Sequence, residues 1–187
     1  IHGSCDPEVV ELVRGLGHPV KLKRNCRNTE EIVLQTQLMT GADIGEAEID
    51  GRGTPVEVEE YKSDEEILTK AADRLKGWME EAIRPENITV LTLNDIDRSI
   101  VHRFGKRLSG IINTIENGDI NPRQHGKIAF STVSKFKGLE NQCVMLLDFE
   151  CFDGSEEMVS RLYVGMTRAK AALWMGYPDD KAEMIER

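Results

Sequence analysis

The alternation of short, β-branched apolar runs with longer stretches of helical spacing constrains this chain more than any other feature. Asn87 to Leu93 (NITVLTL), Lys127 to Thr132, Cys143 to Phe149 and Ala171 to Met175 are nearly continuous apolar runs, the pattern of strands covered on both faces. Pro55 to Tyr61 (PVEVEEY) instead alternates with period two, and Pro19 to Arg24 reads as a further short strand. From Ser63 onward Ile67, Leu68, Ala71, Leu75, Trp78, Met79 and Ala82 recur at three- and four-residue spacing, and Ser63 with Glu66 has the form of a capping box. The same spacing predicts helices over Thr29 to Met39, stopped by Gly41, over Ile96 to Leu108 and over Glu156 to Thr167. Strands alternating with helices along the whole length predict an α/β fold, a parallel sheet with helices on both faces. In open sheets of that kind the ligand crevice is expected at the carboxyl ends of the strands. Residues 42–54, with several glycines among acids, are expected to form an exposed excursion.

A chain of 187 residues can bury one sizeable core, and one domain is expected. Its formal net charge of -9 argues against a surface coated in positive potential, so any polyanion must be met by a local basic groove. Basic residues do cluster, at 21–27, 98–107, 123–137 and 161–170, while acids concentrate at 43–66. No run approaches the roughly 18 to 20 apolar residues of a membrane span, and a soluble, cytoplasmic protein with no membrane partner is expected. Cys5, Cys26, Cys143 and Cys151 form no CxxC pair, which suits thiols in a reducing compartment better than a disulfide frame or a metal site. The chain opens on Ile1 rather than methionine, and is expected to be part of a longer reading frame.

Chemistry concentrates in three segments: KLKRNCRNTEEI at 21–32, STVSKFKGLE at 131–140 and RLYVGMTRAK at 161–170. All three combine basic residues with turns at strand ends and are expected on one edge of the sheet. In the second, Ser134, Lys135 and Lys137 follow a strand directly, so hydroxyl, ammonium and backbone N–H groups converge as phosphate oxygens require. Gly138 permits close approach of a ligand, and Glu140 can accept from a ribose hydroxyl. In the third, Arg168 ends a helix just before a strand; its planar, permanently charged fork can stabilise charge on a transferring phosphoryl group. Each residue has a plainer reading too: Arg168 and Lys170 as partners of a helix dipole, Lys135 and Lys137 as a solvated face.

Together, and in this order, the segments resemble motifs IV, V and VI of UvrD, Rep and PcrA-type superfamily 1 DNA helicases. TVSKFKGLE and LYVGMTRAK stand here where the family has sequences like TVHSAKGLE and LYVALTRAK. The resemblance is strong over 128–175 and extends to 21–36. It implies a C-terminal RecA-like domain, a P-loop NTPase fold that lacks its own P-loop. It also implies roles: Arg27 reaching the γ-phosphate, Arg168 as arginine finger, and Glu140 with Gly138 at the nucleotide. Thr132, Ser134 and Lys135 fall where the family touches the DNA backbone. ATP with Mg2+ is the implied cofactor; single-stranded DNA and the protein's own N-terminal RecA-like domain are the implied partners. The KGLE sequence favours the UvrD branch and 3' to 5' travel.

The departures are specific. Ser134 replaces a histidine, Lys135 a serine and Asn141 a phenylalanine, and Cys26 stands where an aromatic usually precedes the arginine. Roughly 105 residues separate Arg27 from Thr132, so residues 1–187 are read as one C-terminal domain without the large insertion of full-length relatives. No G-x-x-x-x-G-K-[ST] occurs, and Asp148, the one acid after a suitable apolar run, lies outside the family's order for a magnesium-holding residue. The chain alone is therefore expected to be inactive as an ATPase. The readings that compete are a RecA-like binding module without motor activity, the helicase part of a RecB or AddA-like helicase-nuclease, and an unrelated α/β enzyme. His2, His18, His102 and His125 show no triad or metal spacing in support of the last.

Overall fold

The computed structural model describes residues 11, 12, 15, 23–48, 52–102, 111–115 and 124–185. Its centre is a six-stranded sheet. In chain order the strands are β3 (Glu57–Tyr61), β4 (Ile88–Thr92), β5 (Ile112–Thr114), β6 (Ile128–Thr132), β7 (Asn141–Leu147) and β8 (Ala169–Pro178). A separate pair, β1 (Arg24–Asn25) and β2 (Glu46–Ala47), forms a small second sheet. The order across the large sheet is β3-β8-β7-β4-β6-β5, and all its pairings are parallel.

The apolar runs become the central strands because they must be covered twice. Along β4 and β7, Ile88, Val90, Cys143, Met145 and Leu147 face one core cluster, while Leu91, Val144 and Leu146 face the other. Helix α1 (Glu30–Thr40) and helix α3 (Glu156–Met166) cover one face, through Ile32, Met158, Leu162 and Met166. Helix α2 (Asp64–Glu80) covers the other with Ile67, Ala71, Leu75 and Trp78. The predicted capping is half realised: Glu66 N–H donates to Ser63 Oγ at 3.3 Å, but the Glu66 carboxylate accepts from Lys62 N rather than from the cap residue. Short helix α4 (Ala182–Ile185) closes the described chain, with Ile185 buried.

Three expectations differ from the structure. The strand expected over Pro19 to Arg24 is only the two residues of β1, residues 19–22 lying outside those described. The helix expected over Ile96 to Leu108 begins as a 3-10 turn, Ile96–Arg98, and residues 103–108 lie outside those described. The excursion expected over residues 42–54, of which 49–51 lie outside those described, is not simply exposed: residues 46–47 form β2, which pairs parallel with β1, Arg24 against Glu46. Gly45 makes that pairing possible, because a Cβ there would meet Lys23 O at 2.5 Å, and its φ is +79°.

Candidate functional site

The three chemistry-bearing segments do not share one edge of the sheet. The register pairs Thr132 with Thr92, and Thr92 with Leu147, so Thr132 sits level with the carboxyl end of β7. Glu140 precedes Asn141, the first residue of β7, which pairs with Ala169 at the start of β8. The six residue steps from Asn141 to Leu147 put the two ends about 20 Å apart. Arg27, Glu140 and Arg168 therefore gather at the amino ends of β7 and β8, while Thr132, Ser134 and Lys135 lie at the opposite end. The cationic crevice opens at the amino ends, against the expectation drawn from open parallel sheets. Residues 133–140 run from one end to the other because β6 and β7 are parallel and β4 lies between them.

The amino-end site is an open cleft of about 510 Å3 lined by Arg24, Arg27, Arg168 and Lys170, with Glu140, Tyr163, Cys26 and Ile44. Four cations against two glutamates, Glu140 within the cleft and Glu48 paired with Arg24, suit an anionic ligand. The turn that carries Arg27 is set by Asn25, whose side-chain oxygen accepts from Arg27 N at 2.9 Å and Asn28 N at 3.1 Å. Arg27 Nε then reaches Glu140 at 2.8 Å, and Lys170 Nζ reaches the other oxygen of the same carboxylate at 3.0 Å. Lys170 lies where the pairing of β7 with β8 is irregular: Asn141 pairs with Ala169 but Cys143 with Ala172, one extra residue on β8. Both ion pairs are half exposed, a class worth roughly 0 to 1 kcal/mol, so either cation can exchange Glu140 for a ligand at small cost.

Arg168 is held differently. Its Nε–H donates to Val164 O at 2.9 Å, Nη1 to Leu139 O at 3.2 Å and Nη2 to Thr167 Oγ1 at 3.1 Å. Among the described residues no carboxylate forms an ion pair with it. Three of five N–H donors are used on neutral oxygens, leaving two for a ligand, and Glu140, the nearest acid of the cleft, acts on the charge only at a distance. Burial pushes its pKa below the ordinary arginine value, and the neighbouring Arg27 charge adds to that push. Each of the two causes favours the arrival of an anion. The bond to Val164 O shows that the plainer reading, a cation closing a helix end, is also true of this residue.

At the carboxyl end, Thr132 Oγ1 accepts from Lys135 N at 3.1 Å and Phe136 N donates to Thr132 O at 3.1 Å. Val133 and Phe136 are buried in the core, which leaves Ser134, Lys135 and Lys137 exposed between and beside them. Gly138 has φ +89°, a conformation other residues resist, and lets the chain turn toward Leu139; it does not line the cleft. Asp148 is fully committed as a fastener. It accepts from Thr92 Oγ1 and Ser99 Oγ, both at 2.5 Å, and from Ile100 N at 2.9 Å, while itself in the left-handed conformation at φ 64°. Hydrogen bonds to a charged group, at about 1.5 to 3 kcal/mol each, outweigh the roughly 1 to 3 kcal/mol that such a backbone costs. Among the described residues no group of three or more His, Cys, Asp or Glu is placed to hold a metal ion.

Sequence reasoning missed Asn28, Glu48 and the role of Asn141. Asn28 is buried and donates from Nδ2 to Thr167 O at 3.2 Å and Ala169 O at 2.5 Å, on either side of Arg168. Glu48, from the folded-back excursion, accepts from Arg24 at 2.6 Å and from Cys26 Sγ at 2.8 Å. Cys26 thus occupies its position as a hydrogen-bond donor, and Glu48 pushes the thiol pKa up. Asn141 points inward, donating to Glu86 O and Thr89 Oγ1, so it clamps the start of β7 to the start of β4.

Residues 127–175 match the family of UvrD-like helicase C-terminal domains. That segment runs from β6 to the middle of β8 and carries Thr132, Ser134, Lys135, Glu140 and Arg168. Among solved structures, the chain is similar to the C-terminal domain of a possible DNA helicase from Lactobacillus plantarum WCFS1. The two are 17% identical with a TM-score of 0.61, over 82% of this chain and 88% of that one. At such identity the likeness establishes a shared fold, the α/β fold of a helicase C-terminal domain. No curated protein matches the chain. No described helix is long and apolar enough to cross a membrane.

Proposed function

We propose that this chain is the C-terminal motor domain of an ATP-dependent DNA helicase or translocase, working in the cytoplasm with its cleft closed by a Walker-bearing N-terminal domain. One observation carries the reading: Arg168 is fixed at the amino-end cleft by three neutral oxygens rather than by a direct ion pair, with two donors to spare, beside Arg27. This arrangement is suited to charge that develops during phosphoryl transfer, because donors fixed in advance need no reorganisation at the moment of reaction. Arg27 meets the γ-phosphate by exchanging Glu140 for it, and Glu140 turns to the nucleotide sugar.

The residues present fit the phosphate end of ATP with Mg2+ and supply cations only; the phosphate-cradling loop and the ligands to magnesium belong to the other domain. The nucleotide supplies the free energy of the stroke. This chain's part is to bind and orient the terminal phosphate with Arg27 and Arg168, and to present Thr132, Ser134 and Lys135 to the single-stranded backbone at the other end of the sheet. Cleft closure and reopening then step the pair along DNA, in the 3' to 5' direction. The test is DNA-stimulated ATP hydrolysis by the intact protein. Turnover that collapses in Arg168→Ala while nucleotide still binds supports the proposal. Absence of turnover on any single-stranded DNA favours instead a RecA-like module that binds without moving.

A further inference from the structure

We infer that Asn28 is a positioning residue that sets the two arginines of the cleft relative to each other, an inference that rests on the phosphoryl-transfer reading just given. The side-chain amide of Asn28 is almost completely used. Its two Nδ2 hydrogens go to Thr167 O and Ala169 O, the carbonyls immediately before and after Arg168, and its Oδ1 accepts from Asn25 Nδ2 at 3.0 Å. Asn25 in turn gathers the backbone N–H groups of Arg27 and Asn28 with its own Oδ1. A pair of amides thus spans from the backbone of one arginine to the backbone of the other, across some 140 residues of sequence. The brace is buried, Asn28 being 1% exposed, so water cannot substitute for it.

The chemistry of the brace is specific. It needs a donor pair on one side and an acceptor on the other, in one rigid plane, which only an amide provides. It must also be neutral. A carboxylate at position 28 would match the shape, but would turn oxygen toward two carbonyl oxygens and place a negative charge beside Arg27 and Arg168. Asn28 touches neither guanidinium; it acts on where their Cα atoms sit. Because Arg168 is further held by Val164 O and Leu139 O, its side chain follows its backbone and has no slack with which to absorb a shift.

The test uses the intact motor and Asn28→Asp, Asn28→Ala and Asn25→Ala. The expected result is a fall in kcat of about tenfold to a hundredfold, the scale on which misplaced groups lose rate, with KM for ATP changed by less than about threefold. In an Arg168→Ala background the same substitutions should add less than about twofold, since Arg27 then has no partner against which the brace can set it. Losses that multiply in full across the two sites overturn the inference, as does a normal kcat in all three variants. Should Asn28→Asp or Asn28→Ala unfold, Asn25→Ala, at a half-buried position, carries the same prediction. An independent readout is the guanidinium Nε–H resonances of Arg27 and Arg168 in this chain. They should shift together in Asn25→Ala at unchanged melting temperature, and resonances that stay in place overturn the brace. If Arg168→Ala itself leaves turnover intact, the phosphoryl-transfer reading is what has failed, and the resonances alone decide the brace.

Discussion

At the amino ends of β7 and β8 the cations are tied back to the protein: Arg24 to Glu48, Arg27 and Lys170 to Glu140, Arg168 to three neutral oxygens. At the carboxyl end of β6, Lys135 and Lys137 stand exposed, with no side-chain bond among the described residues. Groups fixed in place distinguish one charge distribution from another a fraction of an ångström away, as chemistry on a phosphate requires. Ammonium groups on flexible stems follow a charged backbone without caring which residue of it is opposite, as movement along a strand requires. The fastenings differ in the same sense. Neutral amides, Asn28 and Asn141, brace the backbone of the amino end and add no charge of their own, whereas a carboxylate, Asp148, holds the carboxyl end.

The sharpest way to break this comparison is Arg168→Ala in the intact protein, measured as DNA-stimulated ATP hydrolysis. A loss of at least about 10³-fold in turnover is expected, with nucleotide affinity little changed; near-normal hydrolysis removes the fixed end from the mechanism. Next in size is Asp148→Ala, which leaves the Ser99 hydroxyl and Ile100 N–H without their acceptor in the core and Thr92 Oγ1 with only its bonds to Asn94. Urea unfolding should report a loss of about 3 kcal/mol, and a loss below about 1 kcal/mol would show that the carboxyl end is fastened some other way.

The contrast between fixed and mobile cations is tested more finely by Lys135→Ala. Binding to single-stranded oligonucleotides should weaken several-fold, with the slope of log K against log salt reduced by about 0.7, one phosphate contact on a single strand. An unchanged slope would take Lys135 off the nucleic-acid track. The smallest effect is expected at Cys26, whose thiol the Glu48 hydrogen bond holds above its usual pKa. Removing that acceptor in Glu48→Ala lowers the thiol pKa, so more thiolate exists at pH 8 and alkylation should speed up several-fold. Cys143, pushed up to about 11 by burial, should stay slow in both proteins. Equal rates at Cys26 before and after the change would mean the excursion does not hold Glu48 there in solution.

The sheet was legible because its strands are covered twice. A run such as NITVLTL has no reading as a surface loop, and β4, β6 and β7 fall within a residue or two of the apolar runs that announce them. Helix α2 was equally plain, its apolar spacing landing on Ile67, Ala71, Leu75 and Trp78 as buried residues. The end of the sheet at which the site opens was not legible. Periodicity reports which face a residue takes, and says nothing of how far a connection such as 133–140 travels before the next strand begins. Asn28 gave no signal because an asparagine just ahead of a helix reads as turn chemistry; its partners, Thr167 O and Ala169 O, are backbone atoms that carry no trace in sequence. The irregular pairing that accompanies Lys170 was hidden for the same reason.

The crossing segment 133–140 is eight residues long and is pinned twice, by Val133 and Phe136 in the core, before it reaches Glu140. Thr132 Oγ1 and Thr132 O add two bonds at its root, and Leu139 N closes on Phe136 O at 3.0 Å. A tether of that construction behaves as a strut. It is too short between anchors to buckle, so a push delivered to Glu140 is felt at Lys135 as displacement, without first being spent on bending the chain that joins them.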